Sequence, residues 1–451
     1  MEPLEQRSIK FWLLAGFLTL VFLTGGGSRM DIQSLLILRP VAIVFCVIAA
    51  YGLLREDIAG HKGLITLFAA TFGLVALHLV PLPPAVWQNL PGREIVAEID
   101  QTAGLGQVWR PLSLAPSHTW NALYSLFVPL AVLLLAVQLK RDDKQALVPL
   151  LLLFGLLTTL LSVVQLAGDP RGAAYLYDIT NPGMAVGFFA NRNHQAVFLA
   201  TLMPMMAALV AGQQQWIRRW VPLLACGAFV LPAILVTGSR AGLIVAAIGA
   251  VAAVAVQRRS SWREELGLSS GRRAIPLAIG AVGIASLMAV TIILSRAEAL
   301  RRLLDDDLTT DLRARTFGLL VDETWRYFPF GTGAGTFDPV YRVVEPQELL
   351  SPYYFNHAHN DFLETLLTFG LPGALLLLGA AIWAAQLALR ARADKQLEMS
   401  HKSYALAGGV TLLLLALGSL ADYPLRVPFL MCVLIVAFVM LEEHARGGGH
   451  N

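Results

Sequence analysis

Asn356-His357-Ala358-His359-Asn360-Asp361-Phe362-Leu363-Glu364 runs straight into Thr365-Leu366-Leu367-Thr368-Phe369-Gly370-Leu371-Pro372-Gly373, and the chain then stays apolar to about Ala388. Two imidazoles, two amides and two carboxylates therefore abut a hydrophobic segment. They must sit where a membrane helix meets water. Ionisable groups at such a depth are costly and mark function by default.

The whole chain fits that setting. Of its 451 residues 56% are hydrophobic and only 14% charged, and the mean hydropathy is +0.62, far too apolar for a water-soluble globule. The expected fold class is an all-α polytopic membrane protein, a single transmembrane domain over 1–451. The net charge of +3 is small and the basic residues fall in short loops, which argues against nucleic acid as a partner. Cys46, Cys226 and Cys432 each lie inside an apolar run, with no disulfide or metal spacing. Arg7 and Lys10 precede an apolar run that resembles a signal peptide, but Gly25-Gly26-Gly27-Ser28 offers no small-x-small cleavage pattern, so a retained first span is expected.

A membrane helix needs about 20 mostly apolar residues. About twelve runs qualify: 11–24, 35–54, 63–81, 119–138, 146–167, 194–211, 219–236, 241–256, 274–294, 362–388, 405–420 and 428–442. Only Thr237-Gly238-Ser239-Arg240 separates the seventh from the eighth, which predicts a tight helical hairpin. Basic residues gather in alternate short loops (Arg55 and Lys62; Lys140, Arg141 and Lys144; Arg218 and Arg219; Arg258 to Arg273; Arg390 to Lys402), so these loops and both termini are expected on the cytoplasmic side.

The opposite face carries long loops over 82–118 and 296–358. The first, rich in proline and bearing Trp87 and Trp109, reads as short interfacial pieces. In the second, Phe317, Leu320, Val321 and Trp325 recur at helical spacing before the breaker run Phe328 to Gly335, which predicts an amphipathic helix capping the outer mouth.

Four polar islands share that outer face: Asn191-Arg192-Asn193-His194, Ser239-Arg240, Arg313 with Arg315, and His357 to Glu364. A guanidinium at a helix end suits a bidentate grip on phosphate oxygens, although Arg192 can also snorkel to headgroups, and Arg313 and Arg315 can simply be solvated. His359 is the candidate general base, with Asp361 or Glu364 to orient it. Asn193 and Asn360 stand beside these groups as candidate substrate contacts. Asp361 and Glu364, at i and i+3, can also act as ion-pair glue. No third or fourth ligand supports a metal site at His357 and His359. Gly370 and Gly373 read as close-packing positions.

These residues resemble the O-antigen ligase and polymerase superfamily of bacterial membrane glycosyltransferases. His359-Asn360, nine residues, then Gly370-Leu371-Pro372-Gly373 matches that family's H-N-x9-G-x-x-G signature. Gly187 to His194, Thr237 to Gly242, and Arg313 followed by Phe328 to Gly333 are similar to it too, so the motif region spans 187–373. The resemblance implies metal-independent transfer of a glycan from undecaprenyl diphosphate to a glycan or lipid acceptor, with no cofactor, at the periplasmic face of the inner membrane. It further implies a flippase or chain-length regulator as partners. His359 would activate the acceptor and Arg240 would hold the diphosphate. The loop arginine maps to Arg313 or Arg315, with Arg313 preferred for its spacing to Phe317 and Pro329. The long first outer loop favours a polymerase of exopolysaccharide or O-antigen over a lipid A core ligase. A secondary transporter is the rival class; carriers bind near the midplane between repeats, whereas here the polar groups gather at one edge and no repeat is visible.

Overall fold

The computed structural model describes residues 7–257, 312–350 and 355–445. In chain order its helices are α1 (Ile9–Thr24), α2 (Leu35–Tyr51), α3 (Arg55–Gly60), α4 (Lys62–Leu77), α5 (Pro84–Trp87), α6 (Glu94–Thr102), α7 (Pro116–Ser125), α8 (Phe127–Val137), α9 (Arg141–Ala167), α10 (Arg192–Val210), α11 (Trp216–Thr237), α12 (Arg240–Val256), α13 (Leu312–Tyr327), α14 (Phe337–Val344), α15 (Asp361–Ala393), α16 (Met399–Gly418) and α17 (Pro428–Ala445). The apolar runs become helices because a segment in lipid must satisfy its backbone N–H and C=O groups internally.

Every expected run except 274–294, which lies outside the described residues, falls on these helices, 119–138 on α7 and α8 together. By length and composition, Pro116–Val137 (α7 with α8), α9, α10, α11 and α15 are able to cross a membrane, and α1, α2, α4 and α12 are shorter apolar helices. For the remainder, the count of about twelve rests on the sequence alone. One small amendment to the all-α reading is an antiparallel pair of two-residue strands, in which Pro81 faces Pro111 and Leu82 faces Arg110.

Helix α10 is the hub, packed by α9, α11, α12 and α16. Its apolar window is 83% buried inside the protein, against 22% for α15, which therefore stands at the rim. Helices in lipid gain little from hydrophobic burial against one another and pack instead through small residues. Gly242 of α12 accordingly lies against Ala196, and Gly408 of α16 against the backbone of Ala437.

Helix α15 is broken. Gly370 has φ 60° and ψ −147°, a region open essentially to glycine alone, and a Cβ there would stand 2.1 Å from the Pro329 carbonyl oxygen. The Pro329 to Gly333 turn, between α13 and α14, fills the break. Leu371 N donates to Pro329 O (2.8 Å), while Thr332 N and Gly333 N donate to Leu367 O (3.0 Å) and Thr368 O (2.8 Å). Gly370 is thus not the close-packing position the sequence suggests. It is a splice, at which an outer-loop turn shares the hydrogen bonds of a helix.

The loop between α4 and α7 packs against that turn as a folded flap. Leu114 N donates to Thr332 O (2.8 Å), and Arg93 Nη2 donates to Leu112 O (2.7 Å) and Gly331 O (3.1 Å). Burial brings the Arg93 pKa down to about 10, so it stays charged. His78, at the outer end of α4, accepts the Ala334 amide on Nδ1 (3.0 Å). Accepting on Nδ1 takes a ring that carries no proton on that atom.

The expected amphipathic helix is α13, but with a different inner face. It buries Thr316, Leu320, Glu323, Thr324 and Tyr327, while Phe317 (53% exposed) and Trp325 (67%) point outward. At the rim of a membrane protein the apolar side need not face the protein, because lipid also accepts it.

Candidate functional site

The polar island before α15 is a loop, and its central residue is strained. His359 has φ 50°, the only positive φ of a non-glycine residue among the described ones, a conformation costing of order 1 kcal/mol or more unless its surroundings enforce it. The following residue supplies the enforcement. Asn360 caps α15, its Oδ1 accepting from Phe362 N (3.0 Å) and Leu363 N (3.1 Å), and its Nδ2 donates to Leu420 O (3.2 Å).

His359 is held by a carboxylate, but not by either of the two adjacent ones. Its Nδ1 lies 2.9 Å from Asp422 Oδ1, on the link between α16 and α17. With Nδ1 engaged there as N–H, Nε2 keeps its lone pair. The Asp422 side chain is 2% exposed and that of His359 17%, so the acid is sealed while the ring reaches the surface. Phe355 stacks on the ring (5.3 Å, 29°) and Tyr423 meets it edge-on (4.8 Å, 64°).

Asp361 and Glu364 serve another centre. Arg426 Nε donates to Asp361 Oδ1 (3.0 Å), and Ser419 Oγ and Leu425 N donate to Oδ2. Glu364 Oε1 lies 3.6 Å from Arg426 Nη2 and 3.0 Å from His357 Nδ1, and its Oε2 accepts the Ala358 amide (3.0 Å). The expectation that one of these acids orients His359 is therefore corrected. Both face the Arg426 side of α15, and Asp422 takes the orienting place.

Asp422 also draws in the second island. Asn191 Nδ2 (3.1 Å) and Asn193 Nδ2 (2.5 Å) both donate to its Oδ2. His194 Nε2 lies 3.9 Å from Oδ1, and the His194 ring meets Tyr423 at 5.0 Å. Asn191 at the same time caps α10, accepting from Asn193 N (2.9 Å). Arg192 begins that helix, half-buried, with its Nη1 3.8 Å from Met184 Sδ.

The third island lies one layer behind. Gly238 (φ 64°) ends α11, and Ser239 caps α12 by accepting Gly242 N (3.0 Å), which leaves Arg240 as the first, half-buried residue of α12. The hairpin is as tight as its sequence suggests. Because Gly242 packs on Ala196, the capped starts of α10 and α12 are neighbours, and Asp422 ties α10 to the start of α15. Helix N-termini carry partial positive charge and unpaired N–H groups suited to anions.

Arg315 is exposed in the first turn of α13, and Arg313 is the second residue of that helix, with its side chain outside the described residues. No group of three His, Cys, Asp or Glu among the described residues is arranged to hold a metal ion.

A family model described as O-antigen ligase matches residues 228–378. Over that stretch the chain is similar to the O-antigen ligase family. The matched ligase segment holds the α11–α12 hairpin with Arg240, the loop arginines, the Pro329 to Gly333 turn and His359 to Gly373. Arg192 and Asn193 lie before it and Asp422, Tyr423 and Arg426 after it. No curated protein matches the chain.

Asp422, Tyr423 and Arg426 are the residues that the sequence reading passes over. They did leave a signal: the link between the last two apolar runs carries two charges, Asp422 and Arg426.

Proposed function

We propose that this O-antigen ligase/polymerase relative is a periplasm-facing glycosyltransferase. It moves a glycan from undecaprenyl diphosphate to an acceptor hydroxyl, most in keeping with polymerisation of O-antigen or exopolysaccharide. The observation that carries the reading is the His359–Asp422 pair: a sealed carboxylate holds Nδ1, leaves the Nε2 lone pair at the surface, and is shared with the Asn193 amide of the hub helix.

In this reading His359 Nε2 takes the proton of the attacking hydroxyl, and the hydroxyl oxygen displaces the diphosphate with inversion at the anomeric carbon. Negative charge grows on the departing diphosphate, so groups fixed beside it act most strongly in the transition state. Arg240, Arg192 and the neighbouring N-termini of α10 and α12 suit that task, and one of Arg313 and Arg315 completes the grip. The folded first outer loop packs on the Gly331 turn and would wall the acceptor side, which supports a polymeric acceptor over a core lipid.

The test is transfer by the purified full chain in liposomes, with an undecaprenyl-diphosphate-linked repeat unit as both donor and acceptor. Growing chains should form, and Arg240→Lys should lose most activity, because a lysine cannot reproduce the bidentate fork. Product only on lipid A core would make the protein a ligase. Absence of any transfer together with solute movement across the vesicle would make it a carrier.

A further inference from the structure

The flap between α4 and α7 encloses a cleft that the transfer step leaves unused. Its space is about 320 Å³, the open mouth included, and Trp87, Arg93, Val96, Arg110 and Ser113 stand among its walls. That is a volume at the small end for ligand sites. Trp87 is a fixed apolar wall, 2% exposed, with its Nε1 donating to Val108 O (2.9 Å).

The two guanidiniums of the cleft differ. Arg110 is answered by Asp100, whose two oxygens accept from its Nε (2.6 Å) and its Nη2. Arg93 has no such answer. It is 3% exposed, yet among the described residues no carboxylate bonds to it, and Glu94, next in the chain, is exposed. A guanidinium carries five N–H donors. Those of Arg93 Nη2 go to Leu112 O and Gly331 O, while Nε is buried with no hydrogen-bond partner. Buried donors are normally satisfied, and a buried charge without a counter-charge is expensive. Arg93 also stands at the N-cap of α6, where no side chain caps the helix, and Val96 in the first turn of α6 lines the same cleft. A helix start adds partial positive charge. The cleft is therefore built for an anion it does not itself supply.

We propose that the cleft is a subsite for the acceptor glycan, in which Arg93 takes the carboxylate of an acidic sugar. One unanswered guanidinium calls for one negative charge, which a sugar carboxylate brings and a lipid diphosphate exceeds. The walls mix an indole, prolines and the Ser113 hydroxyl, which suits a sugar ring with its apolar face and its hydroxyls. Continuity with the site favours the glycan over a lipid headgroup: Arg93 bonds the Gly331 turn, and that turn is bonded into α15 through Pro329 and Leu371. Asp361 to Phe369, about 13 Å of helix, lies between the break in α15 and His359. A group held by Arg93 is thus placed along the glycan from the reacting hydroxyl and not on it. The role in transfer rests on the glycosyl-transfer reading; the binding of the anion does not.

The experiment uses the full chain in neutral detergent and reads the affinity for two probes, an oligosaccharide containing glucuronic acid and the same oligosaccharide with its carboxyl reduced to the alcohol. A hydrogen bond to a charged group is worth about tenfold or more in affinity, so the wild type should prefer the acidic probe by about that factor. Arg93→Gln should abolish the preference. Val96→Trp, which fills the cleft and leaves the Arg93 bonds to Leu112 and Gly331 in place, should abolish it too, and decides the matter if the glutamine variant unfolds. Equal affinity of the wild type for the two probes, or a preference kept by either folded variant, makes Arg93 only a pin for the Gly331 turn and overturns the inference. So does a preference that vanishes in nanodiscs of phosphatidylglycerol but persists in nanodiscs of phosphatidylcholine, because a lipid phosphate is then the occupant. A wild type that binds the acidic probe through the cleft but transfers no glycan supports the subsite and overturns the proposed function instead.

Discussion

The two ends of the helical bundle each set histidine beside buried carboxylates, and they use it in opposite ways. At the end away from the site, His61 places Nδ1 3.2 Å from Glu442 and Nε2 3.2 Å from Glu443. Lys144 binds Glu443 at 2.7 Å, and Arg7 and Ser8 close on Asp143 nearby. Both ring nitrogens are spent, and the ring, 3% exposed, ties α4 to α17. At the site end, His357 and His359 each spend one nitrogen and turn the other outward. A histidine satisfied on both sides is a rivet, whereas one satisfied on a single side is available for chemistry.

The largest effect should come from breaking the second kind. His359→Ala should lower the transfer rate by about 10²–10⁴-fold, as for loss of a general base, with little change in melting temperature. If transfer survives at near-normal rate, the αL histidine is only a loop residue. The rivet should respond the other way. Glu442→Gln removes one partner from a buried charged cluster and should cost about 3 kcal/mol in stability, read as a lower melting temperature, while activity per folded molecule holds. Intact stability in that variant would erase the contrast between the ends.

Next comes the orienting acid. Asp422→Asn keeps the shape but allows the wrong imidazole tautomer, and should cost about 10–10²-fold in transfer, the scale seen when a group that orients an active ligand is changed. Unchanged transfer would return the orienting role to chance packing.

Acidity sharpens the comparison further. Burial opposes the charge on His61, but its hydrogen bonds to Glu442 and Glu443 more than offset this and raise its pKa above the ordinary 6.5. A raised pKa means that the folded state favours the proton, so this stabilisation is fully present below about pH 6.5 and is lost as pH climbs through the raised value. Melting temperature measured from mildly acidic to alkaline pH should therefore fall, and His61→Gln should flatten that slope. The smallest effect expected is on a cap: Asn360→Ala should cost about 1 kcal/mol, measured by thermal unfolding, with some loss of transfer because the cap also places His359.

Much of this was legible in the sequence. Length and polarity alone mark α9, α10, α11 and α15, and the four residues between the seventh and eighth apolar runs leave room only for a tight hairpin. The His357 to Glu364 island announces itself by putting charge at a membrane edge. What stayed hidden depends on contacts across the chain. Asp422 is 63 positions from His359, and a lone acid in a short outer link reads as ordinary solvation. Arg426 likewise gives no sign that it will claim Asp361 and Glu364, which looked free to serve the histidine beside them. Gly370 hid for another reason: a glycine in an apolar run at helical spacing predicts packing, and only the turn that replaces its hydrogen bonds shows it to be a break.

That splice has a mechanical consequence. Because the Pro329 to Gly333 turn is bonded into α15, the C-terminal end of α13 is pinned to the frame that holds His359, and any tilt of α13 pivots there. From Arg315 to the pinned end is about 20 Å of helix, so a tilt of about 10° swings the outer end by roughly 3–4 Å, enough to make or break a guanidinium contact. Spin labels at Arg315 and Leu389 should report two distances, with lipid diphosphate favouring one of them; a single unchanged distance would mean a fixed arm. A glycine joint deep in a membrane helix would then govern how far out a phosphate can be reached.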